Sequence, residues 1–228
     1  MTGTAQLERG EVIIPLPPGQ VCGELTIPHG ADSVVIFAHG SGSSRHSPRN
    51  QFVAQGLQKT FIGTLLMDLL TEAEEEWDSK TARLRFNIDL LAERLESALH
   101  WLRSSRLTRG LRVGCFGAST GAAAALVAAA RLPQLVKAVV SRGGRPDLAG
   151  EYLSRVQCPT LLIVGGADSA VLELNRMAFS TLVCARRLEV VSGAGHLFEE
   201  SGALAEVTRL ASDWFSTTLA QIQEAGQS

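Results

Sequence analysis

A serine set between glycines, an aspartate and a histidine, each closing an apolar run, are the residues of this chain whose types and order could do covalent chemistry. Ser119 stands in Gly117-Ala118-Ser119-Thr120-Gly121, between the apolar run 111–116 and the alanine-rich segment 122–130. The first suits a buried strand and the second a helix, so the serine falls on a sharp strand-to-helix turn. Such a turn strains its central residue, and small neighbours two places either side let strand and helix approach. It would expose one hydroxyl at a helix N-terminus, where unpaired N–H groups can stabilise developing negative charge. Asp168 follows the run 160–164 through Gly165-Gly166-Ala167, and His196 follows 188–191 through Gly193-Ala194-Gly195. In that order the three read as the nucleophile, orienting acid and general base of acyl transfer. Asp147 is the rival acid, although its Pro-Asp-Leu context better suits a helix cap.

The segment His39-Gly40-Ser41-Gly42-Ser43-Ser44 follows the apolar run 34–38. Small residues there would let a backbone N–H turn towards the serine, so the N–H groups of Ser41 and Thr120 are the expected oxyanion hole. His39 is expected to hold that loop in shape by bonding neighbouring backbone. Arg45, His46 and Arg49 follow the same loop, and Arg142 and Arg145 follow the run 136–141. Arginines in polar loops are commonly solvated, or paired with carboxylates such as Glu72, Glu74 and Glu75. The sharper alternative is that one or two of these five, Arg142 first among them because Gly143-Gly144 lets its loop bend inward, hold a substrate carboxylate by bidentate hydrogen bonds.

The elements that must position these groups follow from periodicity. Runs 11–15 and 23–28, separated by Pro17-Pro18-Gly19, predict an antiparallel pair of edge strands. Buried strands follow at 34–38 and 63–68, with a helix over 48–60 between them. The acidic stretch 72–80 reads as a solvated loop. Ile88, Leu91, Leu95, Ala98, Leu99 and Leu102 mark the apolar stripe of a helix. Strands at 136–141 and 160–164 flank a short helix at about 148–154, and the last strand is 188–191. A closing helix over 204–222 carries Val207, Leu210, Ala211, Trp214 and Phe215 on one face. Alternating helix and strand predicts an α/β fold: a mainly parallel sheet of about eight strands with helices on both faces. Ligands of such sheets bind beyond the carboxyl ends of the strands, which collects Ser41, Ser119, Asp168 and His196 at one edge.

Composition bounds the alternatives. The 228 residues, 45% hydrophobic and 19% charged, suit one globular domain over the whole length 1–228. A net charge of −2 offers no basic excess for nucleic acid or an anionic membrane, leaving a small-molecule acyl substrate as the expected partner and the oligomeric state open. Cys22, Cys115, Cys158 and Cys184 lack metal-ligand or C-x-x-C spacing, so neither metal nor cofactor is expected. Residues 1–10 lack a signal-peptide pattern, no apolar run matches a bilayer, and the cysteine usage suits a reducing cytosol.

His39-Gly40-Ser41-Gly42, the Ser119 elbow, Gly165-Gly166-Ala167-Asp168 and Gly195-His196 together resemble the motifs of α/β-hydrolases. The compact form resembles the dienelactone hydrolase-like branch over nearly the whole chain, and the connection after residue 141 is too short for a large lid. Dienelactone hydrolases use a cysteine nucleophile; this chain has Ser119 in that place. The resemblance implies cleavage of a carboxylic ester, lactone or similar acyl bond in a shallow or open pocket. A non-catalytic ligand-binding module on the same fold, or acyl transfer to an acceptor other than water, would carry the same features.

Overall fold

The computed structural model describes residues 7–17 and 19–220. Its strands are β1 (Leu7–Pro15), β2 (Gln20–Pro28), β3 (Ser33–Ala38), β4 (Gly63–Met67), β5 (Arg112–Ala118), β6 (Val136–Arg142), β7 (Thr160–Gly165) and β8 (Arg186–Val191). They form one sheet in the order β1-β2-β4-β3-β5-β6-β7-β8. β1 and β2 pair antiparallel, as do β2 and β4, and every pairing from β4 to β8 is parallel. The expected opening hairpin therefore forms, but of its two strands only β1 lies at an edge of the sheet. β2 is sandwiched between β1 and β4 because its residues 23–26 find a second partner in β4.

The helices are α1 (Pro48–Lys59), α2 (Glu72–Thr81), α3 (Ile88–Ser104), α4 (Thr120–Arg131), α5 (Ser169–Thr181) and α6 (Ala203–Ala220), with a 3-10 segment at Pro146–Arg155. Side chains alternate across a strand, so the buried runs feed two cores at once. Val34, Ile36 and Cys115 join Leu91, Leu95 and Leu99 of α3 and the alanines of α4 on one face. Val35, Phe37 and Phe116 join Val53 and Leu57 of α1 and Val207 and Phe215 of α6 on the other. Fully buried strands explain why these runs read as continuous rather than alternating. Among the described residues no helix is long and apolar enough to cross a membrane.

Two segments differ from the sequence reading. Residues 72–80 are not a loop but lie within α2, whose start is a capping box: Thr71 Oγ1 accepts from the Glu74 N–H and Glu74 Oε2 accepts from the Thr71 N–H. Glu72, Glu74 and Glu75 in its first turn suit the positive end of the helix dipole. The helix α5 was not assigned from sequence at all; Asp168 caps it, with Oδ1 accepting from the Val171 N–H at 3.5 Å. The predicted closing helix is present to Ala220, and its last expected residues, like Pro18 of the first turn, lie outside the described residues.

Candidate active site

Strand β5 and helix α4 meet at Ser119, whose backbone lies at φ 50°, ψ −122°, a region costing a residue with a Cβ about 1–3 kcal/mol. The flanking glycines explain how the turn closes. A Cβ added at Gly117 would fall 2.4 Å from Ala122 Cα, and one at Gly121 would fall 2.3 Å from the carbonyl oxygen of Ala38. Around the turn, the Ser119 carbonyl accepts from the N–H groups of Ala122 at 3.1 Å and Arg145 at 3.0 Å.

The acid and the histidine come together. His196 Nδ1 lies 2.8 Å from Asp168 Oδ2, so the ring donates to the carboxylate from that nitrogen and leaves Nε2 to act. Both loops are pinned from behind. The Ala167 N–H donates to the Ala194 carbonyl at 2.9 Å, and Glu200 Oε1 accepts the Gly195 N–H at 3.0 Å. Asp147 instead forms a two-pronged ion pair with Arg145, at 2.9 and 2.8 Å, and its carboxylate is occupied there. Ser119 and His196 line one pocket of about 200 Å³ with Gly40, Ser41 and Gly143. No hydrogen bond joins Ser119 Oγ to the ring among the described residues.

The expected hole residues also meet. Ser41 Oγ and Thr120 Oγ1 are 3.1 Å apart, and a Cβ added at Gly40 would sit 3.0 Å from Ser119 Cβ, so the loop backbone passes directly over the elbow. The N–H groups of Ser41 and Thr120 have no acceptor among the described residues. His39 sets the direction of the first. Its Nε2 accepts from the Leu69 N–H at 3.1 Å, which requires the proton on Nδ1, and Nδ1 donates to the Gly40 carbonyl at 2.9 Å. Because C=O and N–H point oppositely across a trans peptide, fixing the Gly40 carbonyl fixes the Ser41 N–H. Burial lowers the His39 pKa, and the bond to Gly40 opposes that shift without cancelling it.

The cations at this edge separate into paired and unpaired. Arg45 pairs with Asp68 and Glu11, not with the glutamates of α2, and Arg145 pairs with Asp147. Arg142 is buried and lines the Ser119 pocket beside Arg49. Arg142 is singled out in the sequence, but its neighbours are not: Asn50 accepts from its guanidinium and the Phe198 ring faces it at 6.0 Å. A larger cavity, about 1020 Å³, opens on the other side of the loop 39–44, between β2 and α2. Among the described residues it shares only Ser43 with the Ser119 pocket, so Ser119 and His196 face the smaller hollow and not the larger one.

A lidless α/β sheet with an elbow serine, a paired acid and histidine, and a small-residue loop over the elbow defines the α/β-hydrolase class. The model of the dienelactone hydrolase family matches residues 33–224, and the chain belongs to that family. A crystal structure of a dienelactone hydrolase from Anabaena variabilis is 53% identical, with a TM-score of 0.92 over 94% of this chain and 99% of that one. Est1E from Butyrivibrio proteoclasticus, 15% identical with a TM-score of 0.77 over 92% of this chain and 99% of its own, shares the fold. A Mycobacterium tuberculosis protein named "Putative phosphoribosyl transferase Rv0571c" is 54% identical over 205 residues, covering 90% of this chain, which spans only 45% of that protein's length.

Proposed function

We propose that this chain is a single-domain serine hydrolase acting on a carboxylic ester, lactone or similar acyl bond of a small molecule. Ser119 Oγ attacks the acyl carbon as its proton passes to His196 Nε2, and the carbonyl electron pair moves onto oxygen. The N–H groups of Ser41 and Thr120 receive that oxyanion. Collapse of the intermediate breaks the bond to the leaving oxygen, which takes the proton back from His196. Water then attacks the acyl-serine with His196 again as base, releasing the acid and restoring Ser119. Asp168 holds the ring in the required tautomer and steadies the imidazolium.

The observation that carries this reading is the 2.8 Å Asp168–His196 contact in the same pocket as a serine held at φ 50°. The Ser119–His196 bond belongs to the substrate-bound state, since such bonds often tighten only there. The name of the M. tuberculosis protein describes a chain of which this one spans less than half, and it gives the Ser119 pocket no role. Transfer to an acceptor other than water would use the same residues and is read from the products. The cysteines Cys22, Cys115, Cys158 and Cys184 are free, and we place the protein in the reducing cytosol.

A fluorophosphonate probe tests the proposal, because it labels an activated serine. The adduct is expected on Ser119 by peptide mass spectrometry. Ser119→Ala should lower kcat for nitrophenyl acetate by about 10⁶-fold with an unchanged circular dichroism spectrum. An adduct elsewhere, or near-native turnover by the variant, would overturn the assignment.

A further inference from the structure

Strand β6 ends in Arg142, and its side chain stays inside the protein: the residue is 6% exposed and lines the Ser119 pocket. Nη2 reaches Asn50 Oδ1 at 3.4 Å, while Nε and Nη1 are buried and have no acceptor among the described residues. The guanidinium carbon lies 6.0 Å from the centroid of the Phe198 ring, which gives partial compensation for burial. Arg49, in the first turn of α1, lines the same pocket with its own Nε buried and without an acceptor among the described residues. Arg49 Nη1 lies 3.2 Å from Glu199 Oε1, but that carboxylate is 67% exposed and screens it weakly. Burial, reinforced by the charge of Arg49, lowers Arg142 to about 10. A buried cation without a partner is costly, and a second cation beside it makes it more so. Among the described residues no carboxylate lines this pocket; its other polar residues are Ser41, Ser43, Ser47, Ser119 and His196.

We propose that Arg142 and Arg49 form a subsite for a phosphate-type dianion, and that the acyl substrate of Ser119 carries a phosphate or phosphonate group within a few bonds of its scissile carbonyl. The second half rests on the reading of Ser119 as nucleophile; the first does not. Charge selects the dianion. A carboxylate would neutralise the buried Arg142 and leave Arg49, a third exposed, with only the solvent-facing Glu199, whereas a dianion engages both guanidinium groups. Geometry agrees, because the unspent donors belong to two guanidinium groups and, on Arg142, to different edges of one. A planar carboxylate engages one edge, and a tetrahedral group presents oxygens to several. The pocket, at about 200 Å³, has room for such a group and the reacting carbonyl and little more, which sets the short spacing.

Isothermal titration with phenyl phosphate and with benzoate, which share a ring and differ in charge and shape, tests the subsite directly. At pH 8 phenyl phosphate is expected to bind the wild-type protein at least about tenfold more tightly than benzoate. That preference should fade as the pH falls through the second phosphate ionisation near 6. Ser119→Ala should keep the preference and Arg142→Met should abolish it; where Arg142→Met does not fold, Arg49→Gln should reduce it. Equal affinities for the two anions, no binding of phenyl phosphate, or a preference that survives both arginine substitutions would each overturn the subsite. The two readings fail separately. Phosphate binding without any esterase activity would sink the hydrolase alone, and esterase activity without phosphate preference would sink the subsite alone.

Discussion

His39 is bonded through both ring nitrogens, and protonation would destroy one of those bonds by turning Nε2 from acceptor to donor against the Leu69 N–H. Its pKa in the fold is therefore below the 6.5 of the unfolded chain, with burial as the main cause. As pH falls below 6.5 the unfolded chain takes up a proton that the folded one refuses, so stability declines until the pH passes the lowered folded value. Urea midpoints between pH 8 and 4 should show this decline, and His39→Gln should remove its share of it; identical pH slopes in the two proteins would contradict the role. Asp168 makes a parallel case for activity. With asparagine there, the ring is offered a donor as well as an acceptor and the Nδ1–H tautomer is no longer enforced, so kcat should fall by about 10⁴-fold. Asp147→Asn should leave turnover near native, because that carboxylate is bound to Arg145. Reversed outcomes would exchange the two acids. Ser119, Asp168 and His196 were legible in sequence because each follows a strand through small residues. Asn50 was not, and Arg49 stood out only as one of five cations after the strands: their approach to Arg142 depends on how α1 is rotated against the sheet, which no local pattern encodes. Phe198, at φ 56° and buried, stands in no recognisable turn motif.

At the scale of elements, the strands were readable because burial on both faces leaves long apolar runs, and α3 because its stripe is wide. Helix α2 was not, since it buries little: of its residues only Asp78 is buried. What makes it a helix is local bonding at its ends. At the start, Glu74 closes the capping box and its other oxygen, Oε1, takes a hydrogen bond from the buried Arg94 at 2.7 Å. Beyond the end, Asp78 accepts from the N–H groups of Leu84 and Arg85 and from the Arg85 guanidinium. Burial alone would raise the Asp78 pKa, yet these bonds outweigh it and hold the carboxyl below its ordinary range. Thr71→Ala should cost about 1 kcal/mol in denaturant unfolding, the usual penalty of a lost cap. No loss of stability would mean that the cap is dispensable and that tertiary contacts alone hold α2. The signal was available, because Thr-x-x-Glu ahead of a helix is a sequence pattern; the acidity of the stretch hid it. Helix α5 was missed for a different reason. Of its residues only Asn175 and Ala178 are buried, and the Asp168 that caps it was already claimed for chemistry: one side chain both caps the helix and pairs with His196.

The whole molecule has two hydrophobic cores divided by one sheet, and the site at the sheet's edge draws on both. Helix α4, which follows directly on Ser119, packs on one face; α1, which carries Arg49 and Asn50, packs with α6 on the other. The dividing layer is thin in places. A Cβ added at Gly114 of β5 would fall 2.7 Å from Cε1 of Phe215, so that ring lies flush against the strand leading to the elbow. Phe215 is fully buried, and Phe215→Ala removes the largest fully buried α6 side chain from the second core. Such a truncation typically costs about 3–5 kcal/mol, and in a protein of this size each kcal/mol lowers Tm by about 2–4 °C. A fall of about 10 °C is expected. Because every central strand contributes side chains to both cores, neither face can unfold while the other stays packed. The variant should therefore lose helical and aromatic circular dichroism in one coincident transition, at the lowered temperature. Two separated transitions, with the α3–α4 face outlasting the α1–α6 face, would show that the sheet does not couple its two cores and that the pocket between them can come apart before the fold does.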